Sequence, residues 1–410
     1  MRWIVCFVLF FVFLAGSLRA ESLENALDAI VRDGLTRQIY PGAVLVVGNR
    51  DGNLVQKAYG RFAYSPDAPE MTLDTLFDLA SLSKVVGTST AALLLLQNET
   101  LSLADPVTKY ISGFGCNGKD QVTVLDLLTH TSGLKAYESR DVVERERYPD
   151  ETPADALIRR YSSLKPSYTR REKVVYSCLN MQILARVVEN ASSSTLQDIL
   201  SASVWEPLGM HNTTYRPTPQ QKARTAPTAV IRGGDWLQGV VHDPLANYHG
   251  SEKHCPGNAG LFSTGPDLGR YCRMILREGE LDGVRVFSRG WVTRMTSDWS
   301  PHAAANKRAL GWGIHESTPY STPLNQTNES AILGHTGFTG TFLWADKKSG
   351  MFIVLLTNAV FPSPTAEKPA LSTVQRRLAD TVLRSQPVYA AHFQSVQQAS
   401  DASQGEASAN

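Results

Sequence analysis

The sequence has no excess of charge of either sign. Its 410 residues include 40 Lys and Arg against 39 Asp and Glu, which gives a net charge of +1. Proteins that hold a phosphate backbone or an anionic lipid surface by charge carry a clear surplus of basic side chains. The balance therefore argues against nucleic acid as a partner and against electrostatic attachment to a membrane.

Cysteine is scarce as well. The chain has 5 cysteines, one of them within the first twenty residues. The other four are Cys116, Cys178, Cys255 and Cys272, and their spacing fits neither a CxxC motif nor a zinc ribbon. They could pair in an oxidising compartment or remain free buried thiols, and the sequence leaves both possibilities open. A chain of this length buries enough surface to fold without disulfides or metals.

Three histidines in one stretch, His242, His249 and His254, precede Cys255 directly or closely and raise the possibility of a zinc site. Their spacing matches no metal-binding motif. Asp243, next to a proline, is more typical of a turn. We therefore expect no metal and no cofactor.

No apolar run is long enough to span a bilayer, which takes about 20 residues. The longest such stretch near the N-terminus, Trp3–Ala15, follows Arg2 and has 13 residues. A basic start, a short apolar run and small residues before a cleavage point are typical of a secretory signal peptide. We predict a signal peptide over residues 1–20, cleaved after Ala20 or, alternatively, after Ser17. The mature protein is then secreted or periplasmic, with no permanent membrane anchor.

Strand-like runs lie at both ends of the remaining chain. Two of them flank Asp51-Gly52, a dipeptide that favours a β-hairpin turn. Two more flank a polar turn near the C-terminus. The four predicted strands are Ala43–Gly48, Leu54–Tyr59, Thr341–Ala345 and Met351–Thr357.

Helical periodicity covers Ser22–Gln38 and dominates residues 81–300, for example over Cys178–Asn190. Tight turns between consecutive strands favour an antiparallel sheet. We predict an α/β fold of the α+β type in one domain, residues 21–384. Its antiparallel sheet, flanked by helices, comes from about 21–80 and 305–384, and a mostly helical lobe is inserted between them. Residues 385–410 are low in large apolar side chains and are expected to form a disordered tail.

The sequence contains no G-x-S-x-G motif, which removes the simplest case for an α/β-hydrolase. Another serine-nucleophile pattern, Ser-x-x-Lys, occurs at Ser81 and Lys84, Ser132 and Lys135, and Ser162 and Lys165. Residues three apart share a face only on a helix, and only Ser81 begins a clear helical run. A lysine in so apolar a segment is costly unless it has a task or a partner. The alternative is a capping serine followed by a lysine whose ammonium reaches solvent.

Two further groups are candidates for the same site. Tyr176 precedes the helix that begins at Cys178, and a phenol acts as a base near neutral pH only when a cation lowers its pKa from about 10. Lys84 could supply that cation. The second group, His335-Thr336-Gly337, precedes a predicted strand, and its glycine allows close approach to a ligand. Taken alone, each group is more typical of a structural residue than of a catalytic one. A rival match, Lys348-Ser349-Gly350, falls in a hairpin turn.

The order Ser81-x-x-Lys84, Tyr176, His335-Thr336-Gly337 resembles the serine penicillin-recognising family, and within it the class C β-lactamase branch. This branch holds class C β-lactamases, DD-carboxypeptidases, D-aminopeptidases and family VIII esterases. The resemblance extends over about residues 25–380. Its supporting stretches are Val124–Leu134, Pro207–Met210, Asn258–Thr264 and Gly311–Gly313.

The resemblance implies a β-lactamase/transpeptidase-like fold, with the site in the groove between the sheet and the helical lobe. It implies Ser81 as the nucleophile and Lys84 with Tyr176 as a coupled pair that handles protons. Residues His335 to Gly337 would form a strand wall beside the substrate. The backbone N–H groups of Ser81 and Phe338 would form the oxyanion hole.

The chain departs from the family pattern at two substrate-binding positions. Cys178 stands where the family commonly has asparagine, so an amide that helps hold the substrate carbonyl is missing. His335 stands where class C β-lactamases carry lysine, and a histidine is mostly neutral at pH 7. Both changes disfavour efficient β-lactam hydrolysis but leave acyl transfer intact.

We therefore expect an exported serine hydrolase of the DD-carboxypeptidase or D-aminopeptidase type that acts on cell-wall peptides. The alternatives are a family VIII-like carboxylesterase, a class C-type β-lactamase and a non-catalytic penicillin-binding protein. The expected partner is a small molecule or peptide: a D-amino-acid peptide, an ester or a β-lactam.

Overall fold

The computed structural model describes residues 22–250, 253–301, 306–314, 332–363, 368–391 and 393–394. The predicted signal peptide, residues 1–20, lies outside the described residues. The strands are β1 (Gly42–Asn49), β2 (Asn53–Gly60), β3 (Phe77–Asp78), β4 (Ala229–Val230), β5 (Trp236–Leu237), β6 (Phe262–Ser263), β7 (Glu280–Leu281), β8 (Val284–Arg285), β9 (Gly313–Ile314), β10 (Ile332–Thr336), β11 (Phe342–Asp346) and β12 (Met351–Thr357).

The helices alternate with these strands and dominate the middle of the chain. They are α1 (22–36), α2 (Thr90–Gln97), α3 (Val124–Leu128), α4 (Arg140–Glu146), α5 (Pro153–Ser163), α6 (Cys178–Ser192), α7 (Leu196–Leu200), α8 (Pro219–Ala223), α9 (Pro244–His249), α10 (Gly265–Leu276), α11 (Arg289–Thr296) and α12 (Lys368–Arg384).

The main sheet has six strands in the order β2-β1-β12-β11-β10-β9, and all neighbours are antiparallel. The turn between β1 and β2 lies at Asp51-Gly52, where the Asn49 side chain accepts hydrogen bonds from both backbone N–H groups at 2.8 and 3.1 Å. The predicted antiparallel sheet with flanking helices is confirmed.

Helices cover both faces of this sheet. In β1, Val44 and Val46 pack toward α10 and the lobe, whereas Leu45 and Val47 pack toward α1 and α12. Successive side chains of a strand point to opposite faces. Both faces are buried here, so β1 and β12 consist almost entirely of apolar residues instead of alternating with polar ones.

The helical lobe is the chain between β3 and β9. Its helices α2, α3, α5, α6 and α7 share one hydrophobic core with the inner face of the sheet. Side chains that accept backbone N–H groups begin several of its helices, for example Thr123 at α3 and Ser177 at α6, which is the standard N-cap arrangement. The two-residue strands β3 and β6 pair with each other where the chain enters the lobe.

The C-terminal segment differs from the predicted tail over its first residues. Helix α12 ends at Arg384, but a 3-10 turn follows at Pro387–Tyr389. The Tyr389 hydroxyl donates a 2.8 Å hydrogen bond to Asp346, and Phe393 is also buried. Two aromatic side chains thus attach a segment of otherwise polar composition to the sheet, because each removes a large apolar area from water.

The four cysteines among the described residues are free thiols. Cys255 and Cys272 are buried and Cys116 is exposed. Burial, with a contribution from the nearby Glu189 carboxylate, raises the pKa of Cys255 to about 12, so this thiol stays protonated. Within the described part of the chain, no helix is both long and apolar enough to cross a bilayer.

Candidate active site

Ser81 lies at the beginning of one continuous helical segment. The segment opens with a 3-10 turn at Ala80–Leu82, continues as a π-helical stretch over Ser83–Ser89 and becomes α2. This geometry places Ser81 and Lys84 on one face. The Lys84 ammonium donates to Ser81 Oγ at 2.8 Å and to the Asn258 carbonyl at 2.7 Å. Of the three Ser-x-x-Lys pairs, this one joins its two side chains directly.

Lys84 has no exposed surface, at 0%. Burial works against its charged form, but the Cys178 sulfur and the Tyr176 oxygen, with help from Asp243, outweigh burial and raise the pKa of Lys84. Lys84 Nζ also lies 5.0 Å from the centroid of the Tyr176 ring. The ammonium therefore keeps its charge. Its hydrogen bond to Ser81 Oγ stabilises the negative charge that this oxygen gains as it loses its proton.

Tyr176 lies at the centre of a group of basic and aromatic side chains. Its ring centroid is 4.9 Å from that of His130 and 5.7 Å from that of His335. The Arg308 guanidinium carbon is 5.5 Å from the same centroid. With Lys84, two full positive charges thus stand beside one phenol ring.

His130 fixes the other side of this group. It is fully buried with a φ of 59°, and its Nδ1 accepts the Ser177 backbone N–H at 3.2 Å. Because Nδ1 accepts, the ring hydrogen resides on Nε2. Burial, with the positive charges of Arg308 and Lys84, holds the pKa of His130 well below its usual range. His130 is therefore a neutral imidazole packed against Tyr176.

The strand wall comes from the end of β10. Thr341 Oγ1 donates to the Leu79 carbonyl at 2.9 Å, which ties the wall to the turn before Ser81. A Cβ atom at Gly337 would collide with the Thr341 hydroxyl and the Leu79 carbonyl. Only glycine lets the wall approach this closely. His335, within β10 and two residues before Gly337, donates from Nδ1 to the Thr336 carbonyl at 2.9 Å.

The two positions of the predicted oxyanion hole lie on these two adjoining segments. Ser81 is in the first helical turn, and Phe338 follows Gly337. The Phe338 side chain is 46% exposed, and its ring stacks on that of His242 with 5.7 Å between centroids. Cys178 is half-buried at the first turn of α6, where its N–H donates to the Ala136 carbonyl at 2.8 Å.

The rival motifs lie in other settings. Ser132 is buried and donates to Asn180 Oδ1 at 2.6 Å, while Lys135 pairs with Glu138 at 2.9 Å. Ser162 donates to a carbonyl one helical turn back, at 2.8 Å. Ser349 lies in the turn between β11 and β12 and bonds to Asp346.

The histidines weighed as metal ligands are dispersed. His242 stacks on Phe338, His249 is buried, and His254 pairs with Glu189 at 2.7 Å. Asp243 accepts the Ala246 N–H and caps α9, as expected of a turn residue. Across the described ranges, no three His, Cys, Asp or Glu side chains stand close enough together to hold a metal ion.

Sequence reasoning did not identify His130, Arg308 or the Asn258 carbonyl as parts of the site. His130 and Asn258 lie in two of the supporting stretches, so family resemblance pointed to their segments without giving them a role. Arg308 precedes the Gly311–Gly313 stretch, and no periodicity or motif marks it. Its position beside Tyr176 results from the tertiary fold alone.

Comparison with known proteins identifies the relatives of this chain. The sequence model of the Beta-lactamase family matches residues 27–375. An N-acetylmuramyl-L-alanine amidase of Bacillus subtilis is 29% identical over 346 residues, which cover 78% of this chain and 77% of that protein. A putative D-alanyl-D-alanine carboxypeptidase of Salmonella gallinarum is 28% identical over 354 residues, which cover 78% and 79%.

Solved structures agree on the fold. A penicillin-binding protein homologue from Caulobacter crescentus superposes with a TM-score of 0.68 at 20% identity, over 88% of this chain and 97% of that one. The resemblance inferred from the motif order is thereby confirmed. Because the match over residues 27–375 contains every motif from Ser81 to Phe338, the chain belongs to the Beta-lactamase family and is one of its hydrolytic enzymes.

Proposed function

We propose that the protein is a hydrolase of the DD-carboxypeptidase or D-aminopeptidase type. It cleaves amide bonds in D-amino-acid peptides through an acyl-enzyme at Ser81. The observation that carries this proposal is the buried Lys84 ammonium, 2.8 Å from Ser81 Oγ and 5.0 Å from the Tyr176 ring centroid. A serine hydroxyl that accepts a hydrogen bond from an ammonium, with a phenol beside that ammonium, meets the requirements for an activated nucleophile.

The reaction proceeds in two steps. Ser81 Oγ attacks the substrate carbonyl carbon, its proton passes to the Lys84–Tyr176 pair, and the backbone N–H groups of Ser81 and Phe338 stabilise the oxyanion. The bond to the leaving group breaks as the pair delivers the proton to the departing amine. Water then attacks the ester carbonyl, the pair accepts one proton of this water, and Ser81 regains its hydrogen as the carboxylic acid leaves.

Arg308 supports a substrate that carries a free carboxylate. Its guanidinium carbon is 5.5 Å from the centroid of the Tyr176 ring, and the His335 ring is 5.7 Å from the same centroid. Guanidinium groups bind carboxylates with two parallel hydrogen bonds. The Salmonella relative, named a putative D-alanyl-D-alanine carboxypeptidase, adds support for the same class.

The test is release of D-alanine from a peptide that ends in D-Ala-D-Ala, beside the same peptide with a C-terminal amide. We expect the wild-type chain to turn over the free acid and Ser81→Ala to lose this turnover. In Arg308→Ala, the KM for the acid should rise, whereas the KM for the amide should not. Equal turnover of acid and amide in the wild type would contradict the carboxypeptidase assignment.

A second candidate is cleavage of the amide between a muramyl group and L-alanine. The Bacillus subtilis relative with that name is 29% identical over 78% of this chain. The same acyl-enzyme chemistry serves both reactions, and they differ in which end of the peptide occupies the groove. Mass analysis of the products from a muramyl pentapeptide distinguishes them, because one reaction releases D-alanine and the other the whole peptide.

We also propose that the chain is exported. The support is the sequence of residues 1–20, with its basic start and 13-residue apolar run, which are typical of a secretory signal peptide. N-terminal sequencing of the protein from a secreting host should give a chain that begins at Glu21. A chain that retains Met1 would contradict the cleaved signal peptide.

A further inference from the structure

The buried carboxylate of Asp78 is connected to both predicted donors of the oxyanion hole, the backbone N–H groups of Ser81 and Phe338. Asp78, the last residue of β3, is 2% exposed. Its Oδ1 accepts the Ala80 backbone N–H at 2.8 Å, and its Oδ2 accepts the His242 backbone N–H at 2.7 Å. One side chain thus joins the turn before Ser81 to the loop that carries His242.

Keeping this carboxylate charged costs stability. Burial raises the pKa of Asp78 to about 6, with a smaller contribution from Asp243, although the two N–H donors act in the opposite direction. The folded chain therefore binds a proton at this site more tightly than the unfolded chain does, and ionisation at neutral pH disfavours the fold. A residue that lowers stability in this way is expected to serve function instead.

The first hydrogen bond of Asp78 holds an unfavourable backbone conformation in place. Ala80 has a φ of 46°, in the left-handed region that residues with a Cβ atom avoid. Strain of this kind persists only where the surroundings impose it, and it concentrates at functional sites. Because Ala80 immediately precedes Ser81, its conformation sets the direction of the Ser81 N–H and side chain.

The other contacts of Asp78 reach the opposite donor. Its Oδ2 fixes the backbone of His242, whose ring stacks on Phe338. Its carbonyl accepts the Thr339 hydroxyl at 2.8 Å, one residue beyond Phe338. Two contacts therefore fix Phe338: its ring stacks on His242, and the adjacent residue, Thr339, bonds to the Asp78 carbonyl. Asp78 takes part in both, because its side chain also bonds to the His242 backbone.

We propose that Asp78 is a positioning residue that fixes the placement of the two backbone N–H donors of the oxyanion hole relative to each other. The inference rests on the proposed acyl transfer at Ser81. Acylation and deacylation both pass through an oxyanion, so misplaced donors slow both steps together. The expected signature is a fall in kcat with little change in KM, without a loss of folding stability.

The experiment is Asp78→Asn, assayed with a short-chain p-nitrophenyl ester. Asparagine has the same shape as aspartate. Its NH₂ group, however, would face one of the two backbone N–H donors, of Ala80 or His242, so one of the two hydrogen bonds is lost. We expect kcat to fall about ten- to hundredfold and KM to stay within twofold. Tm should stay close to that of the wild type, because removal of the buried charge offsets the lost hydrogen bond.

Asp267→Asn is the matched control. Asp267 is another buried carboxylate whose pKa burial raises, and it accepts the Asn212 N–H and the Thr213 hydroxyl at 2.8 and 2.9 Å. It lies at the start of α10, and its amide variant should leave kcat and KM unchanged. Thr339→Val, which removes the hydroxyl held by the Asp78 carbonyl, should lower kcat in the same direction by a smaller factor.

Three outcomes would overturn the role of Asp78: a kcat within twofold of wild type, a rise in KM alone, or a markedly lower Tm, which would make Asp78 a structural residue. If Asp78→Asn does not fold, unchanged kcat in Thr339→Val has the same meaning. Ester turnover by the wild type that persists in Ser81→Ala would instead contradict the proposed nucleophile, so the two proposals fail separately.

Discussion

A fully buried lysine donates a hydrogen bond to the side chain that we propose as the nucleophile. Ser81→Ala should abolish covalent labelling by a fluorophosphonate or a fluorescent penicillin, because the label forms its bond with Ser81 Oγ. Ser132→Ala is the control and should keep its label, since its hydroxyl is buried and bonded to Asn180. A labelled Ser81→Ala protein, or a label mapped to Ser162, would disprove the assignment.

Lys84 and Tyr176 share one electrostatic environment, so their effects should not add. Lys84→Ala and Tyr176→Phe should each lose most of the acylation rate, and the double variant should lose little more than either. The rates of acylation across pH should follow a profile that belongs to the pair. Strictly additive losses in the double-mutant cycle would show that the two residues act separately.

Cys178 and His335 stand where a β-lactamase of this family carries an amide and a lysine. We expect slow nitrocefin turnover with an accumulating acyl-enzyme, because one missing oriented donor costs about a hundredfold in rate. Cys178→Asn combined with His335→Lys should raise nitrocefin turnover relative to ester turnover. Nitrocefin turnover by the wild type far above that of an ester and a D-Ala-D-Ala peptide would contradict this expectation.

At the scale of helices and strands, Asp126 connects one short helix to a distant loop. It completes the capping box of α3 with Thr123 and bonds to Arg171 at 2.6 Å and Arg170 at 2.8 Å. Burial works against its charged form, but Arg171 and Arg170 outweigh burial and lower the pKa of Asp126.

Asp126→Ala should lower the free energy of unfolding by about 2–3 kcal/mol, from the lost cap and the lost charged hydrogen bonds. Because the folded pKa lies below the unfolded value, this stability is present above about pH 4 and is lost as the pH falls through the folded pKa. Denaturant titrations at pH 7 and pH 3 measure both. A variant as stable as the wild type at pH 7 would contradict the role.

Regular elements were predictable from the sequence where a single rule determines them. The hairpin at Asp51-Gly52 and the strands near the C-terminus follow from turn chemistry and apolar runs, and the helical start at Ser81 follows from the apolar run after it. Strands β3 and β6 have two residues each, too few for any periodicity. Arg308 and the fixed tautomer of His130 depend on contacts between distant segments, so the sequence alone could not reveal them.

At the scale of the whole molecule, the segment after α12 belongs to the fold. A chain that ends at Arg384 loses the buried rings of Tyr389 and Phe393, so its free energy of unfolding should fall by about 3 kcal/mol or more. Tyr389→Phe keeps the ring and loses only the hydrogen bond to Asp346, and it should cost about 1 kcal/mol. A truncated chain with wild-type stability would restore the predicted tail boundary.

The centre of the sheet unites the two ends of the chain. Strand β1 pairs with β12 from Ala43 opposite Thr357 to Asn49 opposite Met351. During synthesis, therefore, the ribosome releases β1 and the whole helical lobe before the strand that completes the core exists. Contacts so distant in sequence form late. The central sheet of a nascent chain therefore stays incomplete until β12 has been made.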